Sequence, residues 1–505
     1  MFKTLKDGMP RDKDLPERCF ELEAFHKVLH GEQYDHIAIP FHMERTSGGE
    51  YIEVVKRRPS VRYNLCQTVV NDSVSILFSE AHFPKFMCAD QATREAIDAH
   101  VKEAFLNQKM TEAAFEGSVG SIAIKFAVLN NRAFYEPVPT NYLTPTFDPL
   151  CPDELLYVRE QFKIRGEELE DLGYEIDEED ERAMFWFTRD FTREEEIHYL
   201  PVKFEHGVKA KKIPLVVDKD RTIFHGFGFV PMRWIKNLPG GKGVDGRCTF
   251  KEAINTQIAI EQQLSNSDRA LRYSSDPTMI IKDAGGMDRE SAIVKGSGNA
   301  LVLDSESDAR MLEINGKASA AVIDYVKFCR ELALEAISGN RANAERMGAA
   351  TSGRSMELMN QALIWLADKL RISYGEGGLL KLMEMFVKAS HIYPLEVAGK
   401  PIGKLSLDDP LSLKWPAWYQ PTAQDALSIA SSLTMMTGGT VMSRETAVES
   451  LASDYDIEDV AGELAKIEAD DQERMDKAMA TAEHAASLAP KADPGGKPDN
   501  RTKGK

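Results

Sequence analysis

Hydrophobic positions in the first half of the chain predict helices followed by a region of strands. Apolar residues recur at helical spacing through Leu15–His30, Arg57–Phe78 and Gln91–Asn107. From Ser118 to Leu129 they alternate instead, as in a half-buried strand. Short aromatic or β-branched segments between turn residues then predict antiparallel strands at Leu155–Ile164, Arg182–Phe187, Glu196–Phe204, Lys212–Val217 and Thr222–Val230.

A glycine-rich segment, Asn237–Gly246, separates these strands from a mainly helical second half. Thr249 and Glu252 have capping-box spacing and predict a helix from Phe250 to about Tyr273. This helix carries only a thin apolar stripe: Phe250, Ile254, Ile258, Leu264 and Leu271. Because a monomer core needs a wider stripe, we expect the helix to pack in an oligomer or to stand beside a wet channel.

A small β-like module and a second long helix follow Pro277. Thr278–Lys282 and Ala300–Leu303 are predicted strands around Gly-rich turns, and Ala318–Ile337 is a predicted helix. One face of that helix is apolar, with Val322, Tyr325, Phe328, Cys329, Leu332 and Ala336. The two long helices therefore flank a short module, and each presents an apolar stripe.

The C-terminal part is predicted to be helical. After the small and polar segment Asn340–Ser352, a long helical pattern runs from Gly353 to about Ala389, and the glycines within Tyr374–Gly378 are expected to bend or break it. A connector rich in proline and tryptophan spans residues 392–421. Helices are then predicted at Thr422–Met436, Ser443–Leu451 and Ile457–His484, and Ala485–Lys505 has the composition of a disordered tail. The fold class expected is α+β, mainly α.

Composition and charge limit the possible functions. Hydrophobic residues make up 43% and charged residues 28% of 505, as in a packed protein. The net charge of −18 argues against a broad surface that grips nucleic-acid phosphates, so contact with DNA has to be local or slippery. Gly166–Glu181, with ten acidic residues in sixteen, is expected to be a solvated helix or loop.

Targeting and redox signals are weak. Six scattered cysteines match neither a zinc pattern nor a dense disulfide framework, which favours a reducing compartment. No signal peptide and no apolar run long enough to span a bilayer is present, so we expect synthesis in the cytoplasm and no membrane partner.

Enzyme signatures are incomplete. His26 and His30 have the i, i+4 spacing of a zincin helix, but Lys27 stands where the general-base glutamate belongs, and a third ligand would have to come from Glu23 or His36. Two surface or interface histidines are the simpler interpretation. The glycines and lysine of Gly240–Gly243 lack the P-loop pattern, and no nucleophile elbow occurs. We therefore predict no catalytic residues, metal or cofactor.

The order of the segments resembles portal proteins of tailed bacteriophages, the siphophage-type head–tail connector family. Four stretches carry the resemblance. They are Lys56–Phe78, similar to the family's early helix; His225–Asn237, with HGFGFVP, similar to its strand leading into the stem; Thr351–Ser355, opening the helix after the tunnel loop; and Met436–Ile467, with MTGGTVMS, similar to its helical ending. The sequence departs from the family's pattern at the Pro239–Gly246 insertion and at the glycines of Tyr374–Gly378.

The resemblance implies a portal fold with wing, two-helix stem, small α/β clip, tunnel loop and helical crown. The wing would combine residues 1–248 and 353–436. The stem helices would be 249–273 and 318–338, the clip 274–317 and the tunnel loop 339–352. Residues 437–484 would form the crown, and 485–505 would be the disordered tail.

Residue roles follow from this assignment. In the tunnel loop, Arg341, Asn343, Arg346 and Met347 would face DNA, with the alternative that the arginines pair with Glu335 or Glu345. In the stem, the seams between neighbouring subunits would involve Ile254, Ile258, Leu264, Val322, Tyr325 and Leu332.

The family also implies partners and a location. The chain would form a ring of about twelve copies at a capsid vertex of the virion and pass double-stranded DNA during packaging, retention and ejection. Its partners would be the terminase, the head–tail adaptor, and the major capsid and scaffolding proteins, with assembly in the host cytoplasm. A non-catalytic capsid or scaffold protein is the alternative, although it would not need paired helices flanking a small β module.

Overall fold

The structure, a computed structural model, describes residues 1–206, 208–275, 278–282, 308–312, 317–339, 357–358, 360–418, 423–439, 441–452, 457 and 459–488. The chain divides into two units. The first contains Met1–Ala350 and Ser355–Trp418, and the second contains Thr351–Arg354 and Tyr419–Lys505. With 47% helix and 19% strand, the fold is mixed α and β, which agrees with the predicted class at that level.

Helices account for more residues of the first unit than strands do. They are α1 (Phe2–Asp7), α2 (Glu17–Leu29), α3 (Leu65–Phe78), α4 (Gln91–Glu103), α5 (Leu106–Gly117), α6 (Gly166–Asp171), α7 (Ile254–Ser275), α8 (Lys317–Ala336), α9 (Gln361–Leu370) and α10 (Leu380–Ala389). Polar side chains cap two of them. Asn64 Oδ1 accepts from the Gln67 amide at 3.1 Å before α3, and Asp90 Oδ2 accepts from the Thr93 amide at 2.9 Å before α4.

The strands are short and antiparallel. They are β1 (Lys85–Met87), β2 (Ser121–Leu129), β3 (Arg132–Pro139), β4 (Leu143–Phe147), β5 (Leu155–Arg165), β6 (Met184–Phe191), β7 (Glu195–Tyr199), β8 (Val202–Lys203), β9 (Val217–Phe224), β10 (Met232–Lys236), β11 (Thr278–Lys282), β12 (Asp308–Leu312), β13 (Glu396–Val397), β14 (Lys400–Pro401) and β15 (Ser412–Lys414). One sheet has six strands in the order β4-β5-β6-β7-β9, with β8 on β6; another has the order β10-β2-β3. The pairs β1–β15, β11–β12 and β13–β14 stand alone.

Several predicted boundaries were wrong, each for a local reason. The helix expected over Arg57–Phe78 begins only at Leu65, because Asn64 caps it there and the amides of Val61 and Tyr63 donate to side chains of α7 instead of to helical carbonyls. The pattern over Gln91–Asn107 is two helices, since Phe105 takes a left-handed conformation (φ 50°) between α4 and α5.

Two predicted strands also differ. The strand expected at Lys212–Val217 begins only at Val217, after Pro214 has removed a backbone donor. The strand expected at Thr222–Val230 ends at Phe224, where Gly226 (φ 58°) and Gly228 (φ 71°) turn the chain. The acidic segment Gly166–Glu181 contains the short helix α6 and a single 3₁₀ turn, as expected of a solvated helix or loop.

The glycines of Tyr374–Gly378 neither end nor break the long helix. Residues Arg371–Leu379 form a π-helical segment that joins α9 to α10. Gly375 leaves room for the ring of Trp415, and Gly378 leaves room for Ile235, so a side chain at either position would overlap its neighbour. The helix therefore takes the wider π-helical geometry at the point where core side chains pack closely against its backbone.

A single large core lies between these helices and the sheet β10-β2-β3. Among its fully buried side chains are Leu29, Leu65, Leu77, Phe126, Phe250 and Phe386. The first turns of α7 and the last turns of α8 both enter this core, through Ile254 and Ile258 on one helix and Ala333 and Leu334 on the other, and Ile337 follows directly after α8.

The second unit is helical. It contains α11 (Ala423–Gly438), α12 (Arg444–Leu451) and α13 (Val460–Leu488), close to the three helices predicted. Ser443 caps α12 by accepting from the Thr446 amide at 3.1 Å, and Arg444 forms an ion pair with Asp471 of α13. The boundary at Trp418 groups α11 with the last two helices, whereas the family resemblance put Thr422–Met436 in the wing. The division does not separate wing, stem and clip, which remain predictions.

Candidate functional site: the paired helices α7 and α8

The entry to α7 is held by a buried asparagine. Asn237, 0% exposed at the end of β10, has Nδ2 at 2.8 Å from the Arg247 carbonyl and 2.9 Å from Thr249 Oγ1, and its Oδ1 accepts from the Tyr374 hydroxyl at 3.2 Å. Thr249 is thereby engaged, and no capping box forms with Glu252. Helical structure begins with a 3₁₀ turn, Lys251–Ala253, and becomes α-helical at Ile254.

One face of α7 is polar and buried. Gln257, Glu261, Gln262 and Ser265 are all at most 7% exposed. Glu261 Oε2 accepts from the Tyr34 hydroxyl at 2.5 Å, and Oε1 accepts from the Tyr63 amide at 3.0 Å. Burial raises the pKa of Glu261, although these hydrogen bonds act in the opposite direction. The scarcity of apolar residues in α7 thus reflects a polar interface inside the chain.

Backbone amides in and just before the first turn of α3 donate to side chains on this same face of α7 instead of to backbone carbonyls. Gln257 Oε1 accepts from the Cys66 amide at 3.0 Å, and Ser265 Oγ accepts from the Val61 amide at 3.1 Å. Those two amides, together with that of Tyr63, would otherwise lack a helical or strand partner near the start of α3. Side chains of α7 therefore dock the segment before α3.

The seam predicted for α7 has to be corrected at two positions. Ile254 and Ile258 are each 1% exposed within the chain's own core, so they have no surface left for a neighbouring copy. Leu264 is half-buried. The expectation that α7 needs an oligomer to bury its stripe is wrong for Ile254 and Ile258.

Helix α8 differs from α7. Cys329 and Ala333 of α8, together with Ile337 directly after its end, form a buried face. Beside that face, Tyr325 (53% exposed), Phe328 (56%) and Leu332 (49%) form an exposed apolar row, here called the α8 stripe. Val322 is half-buried. The predicted apolar face of α8 is therefore two faces, one packed in the core and one that the described part of the chain leaves about half exposed.

The helices α7 and α8 pack against each other and run in opposite directions, since the start of α7 and the end of α8 share one core. Beyond the end of α7, β11 pairs with β12 from Thr278–Leu312 to Lys282–Asp308. The strand at Thr278–Lys282 was predicted. The one at Ala300–Leu303 and the tunnel-loop residues Arg341, Asn343, Arg346 and Met347 lie outside the described residues.

The structure brings a partner to the two N-terminal histidines that sequence reasoning missed. Glu116, on α5, lies with Oε2 at 3.2 Å from His26 Nδ1 and Oε1 at 3.2 Å from His30 Nε2. Neither expected ligand takes that place, and Glu23 instead pairs with Lys27 at 2.9 Å. Burial alone would raise the pKa of Glu116, but its hydrogen bonds and charge interactions with the two imidazoles hold it below the usual value.

No family model matches the chain, and no curated protein matches it. Within the described part of the chain, none of the helices is both long and apolar enough to cross a membrane.

Proposed function

We propose that the chain is a portal protein of a tailed bacteriophage, one subunit of a ring that passes double-stranded DNA at a capsid vertex. The observation that carries the proposal is the exposed α8 stripe on a helix pair rooted in the core. Three large apolar side chains follow one another at i, i+3 and i+7, each about half exposed, and a contiguous apolar row is suited to contact with another protein surface. The occupant we assign to this row is a second copy of the chain.

Ring geometry fits this assignment. A ring of identical subunits uses a head-to-tail interface, in which one surface of each copy meets a different surface of the next. A rigid, core-anchored pair of helices holds the α8 stripe in a fixed direction, so that every copy presents it alike. The order of motifs, from Lys56–Phe78 to Met436–Ile467, supports the same family.

The net charge of the chain fits a channel through which DNA moves better than a surface that binds DNA tightly. Each neutralised phosphate releases counterions and adds affinity, which would slow a moving polyanion. A chain of net charge −18 limits that adhesion. On this proposal, the docking of terminase, head–tail adaptor, capsid and scaffolding proteins, the residence in the virion, and the absence of catalysis follow from the portal role.

The α8 stripe and its opposite side provide a matched pair of variants. Leu332→Asp places a charge in the proposed seam, and burying an unpaired charge there costs several kcal/mol at every interface of the ring. Ile323→Asp makes the same kind of change at an apolar residue that is 47% exposed but lies on the other side of the helix, at about 100° per residue. Ile258→Asp would not test assembly, because Ile258 belongs to the core.

The assay is native mass spectrometry with negative-stain imaging of the purified chain. We expect wild type and Ile323→Asp to form rings with a central hole, and Leu332→Asp to remain monomeric with wild-type helical content by circular dichroism. Rings formed equally by Leu332→Asp would remove the observation on which the proposal rests. A closed oligomer without a hole would instead favour a capsid or scaffold role.

A further inference from the structure

A candidate metal site joins the N-terminal helix α2 to α5. His26, on α2, and His30, which caps the C-terminus of that helix, stand one turn apart with their rings nearly parallel, at a centroid distance of 6.4 Å and an interplanar angle of 11°. Glu116 comes from the last turn of α5 and lies between them. Three donor atoms, one from each residue, lie within 4.8 Å of one another. This convergence is independent of any proposal about the ring.

The distances match a first coordination shell. Zinc bonds of about 2.0–2.2 Å to nitrogen and oxygen in tetrahedral geometry separate neighbouring ligand atoms by about 3.4 Å. From the single oxygen Glu116 Oε2, His26 Nδ1 lies at 3.2 Å and His30 Nε2 at 3.3 Å. The edge between the two imidazoles is at most 4.8 Å, and the His30 side chain is 38% exposed.

The charge of the cluster also favours a cation. Among the described residues, the ion pairs and hydrogen bonds of Glu116 go to the two histidines and to no lysine or arginine. Its side chain is 23% exposed. A half-buried carboxylate with only imidazole partners has no full positive charge beside it when the imidazoles are neutral, and a divalent ion supplies one.

We propose that His26, His30 and Glu116 bind a divalent transition metal of the Zn²⁺ class, with solvent completing the coordination on the exposed side of His30. Two imidazoles and one carboxylate are ligands that suit zinc and its neighbours better than magnesium or calcium. Because Lys27 stands in place of the glutamate of a zincin helix, this is a structural site that ties α2 to α5.

One feature of the second coordination shell sets the strength of the site. Coordination through His26 Nδ1 puts the proton on Nε2, and that atom is buried without a hydrogen-bond partner among the described residues. Ligating histidines usually donate this N–H to an acceptor, and losing such a contact weakens metal binding by about 10- to 100-fold. We therefore expect affinity below that of a site with complete outer contacts.

The test is calorimetric titration of the full-length chain with zinc chloride after removal of metals with a chelator. We expect one Zn²⁺ per chain at this site, with affinity lowered at least about tenfold in His30→Gln and Glu116→Gln. Glu112→Gln, on an exposed carboxylate one turn earlier on α5, is the matched control and should bind as wild type. Zinc should also raise the thermal midpoint of wild type and of Glu112→Gln but not of the two site variants.

His30→Gln changes an exposed side chain and keeps the test valid if Glu116→Gln folds poorly. The proposal would be overturned by wild type that takes up no zinc, or by equal affinity in wild type and His30→Gln. Equal loss in Glu112→Gln and Glu116→Gln would likewise overturn it, because the binding would then be a diffuse effect of surface charge.

Discussion

A buried histidine in the first unit links stability to pH. His100, on α4, is 2% exposed, with its ring stacked on that of Phe386 at 3.9 Å and Nε2 at 2.9 Å from the Tyr135 hydroxyl. Burial, and to a smaller extent the charge of Arg132, lowers the pKa of His100 to about 4, from an ordinary value of 6.5. The folded chain therefore keeps this imidazole neutral in mild acid.

The sign of the effect follows from proton uptake. Between pH 6.5 and about 4 the unfolded chain binds a proton at His100 that the folded chain excludes, so acid favours unfolding. The stability that the neutral His100 contributes is fully present above the pKa of His100 in the unfolded chain, and it is lost as the pH falls toward the pKa of His100 in the folded chain. A difference of about 2.5 pKa units corresponds to about 3 kcal/mol, at about 1.4 kcal/mol for each unit.

The perturbation is His100→Phe, which keeps a ring against Phe386 and removes the titration. The Tyr135 hydroxyl then lacks its partner, which costs about 1–3 kcal/mol at every pH. We expect the stability advantage of wild type over the variant to shrink by about 3 kcal/mol between pH 7.5 and pH 4. The assay is urea unfolding followed by circular dichroism across that range.

The comparison isolates His100 because other titrating groups act alike in both proteins. His42→Phe, at an exposed side chain, is the control and should keep the wild-type dependence on pH. A difference between wild type and His100→Phe that stays constant within about 0.5 kcal/mol, the scale of an ordinary surface change, would refute the reasoning. It would mean that the imidazole is protonated or hydrated inside the fold.

Two further changes test the buried contacts around α7 and the π-helical segment. Burial raises the pKa of Glu261, so the stability that its protonated form contributes is present below the unfolded pKa and is lost as the pH rises through the folded pKa. In urea unfolding at a series of pH values, Glu261→Gln should abolish this decline in stability. The exposed control Glu252→Gln should retain it. Gly117→Ala would overlap the Tyr374 hydroxyl and should lower the free energy of unfolding by about 1–3 kcal/mol, while Gly403→Ala, with open space around it, should not; equal denaturation midpoints would contradict the overlap.

The extent of sequence-based prediction differs between local and distant contacts. Strong periodicity predicted the bounds of α8 and of the three helices of the second unit to within a few residues. It could do so because the helical spacing of apolar residues is a local property of the sequence. The pattern over Gln91–Asn107 failed where a single residue, Phe105, adopts a left-handed conformation for which it has no special preference. A break of this kind leaves no composition signal.

Contacts between distant segments were beyond the sequence pattern. The spacing of His26 and His30 was visible, but Glu116 reaches them from α5, and nothing in the residues around it distinguishes this glutamate from others. The tunnel-loop residues, by contrast, rest on the family resemblance alone.

The two long helices differ in how much of their surface the chain itself buries. The polar face of α7 binds the segment before α3, and its apolar face packs in the core, so substitutions in α7 act on the folding of a single chain. Helix α8 shares that core at its last turns but leaves Tyr325, Phe328 and Leu332 outside it. Because a hydrophobic row gains stability only when something covers it, the proposed ring would use this row of α8 for contact between copies, and the packing of α7 against α8 would set the direction in which the row points.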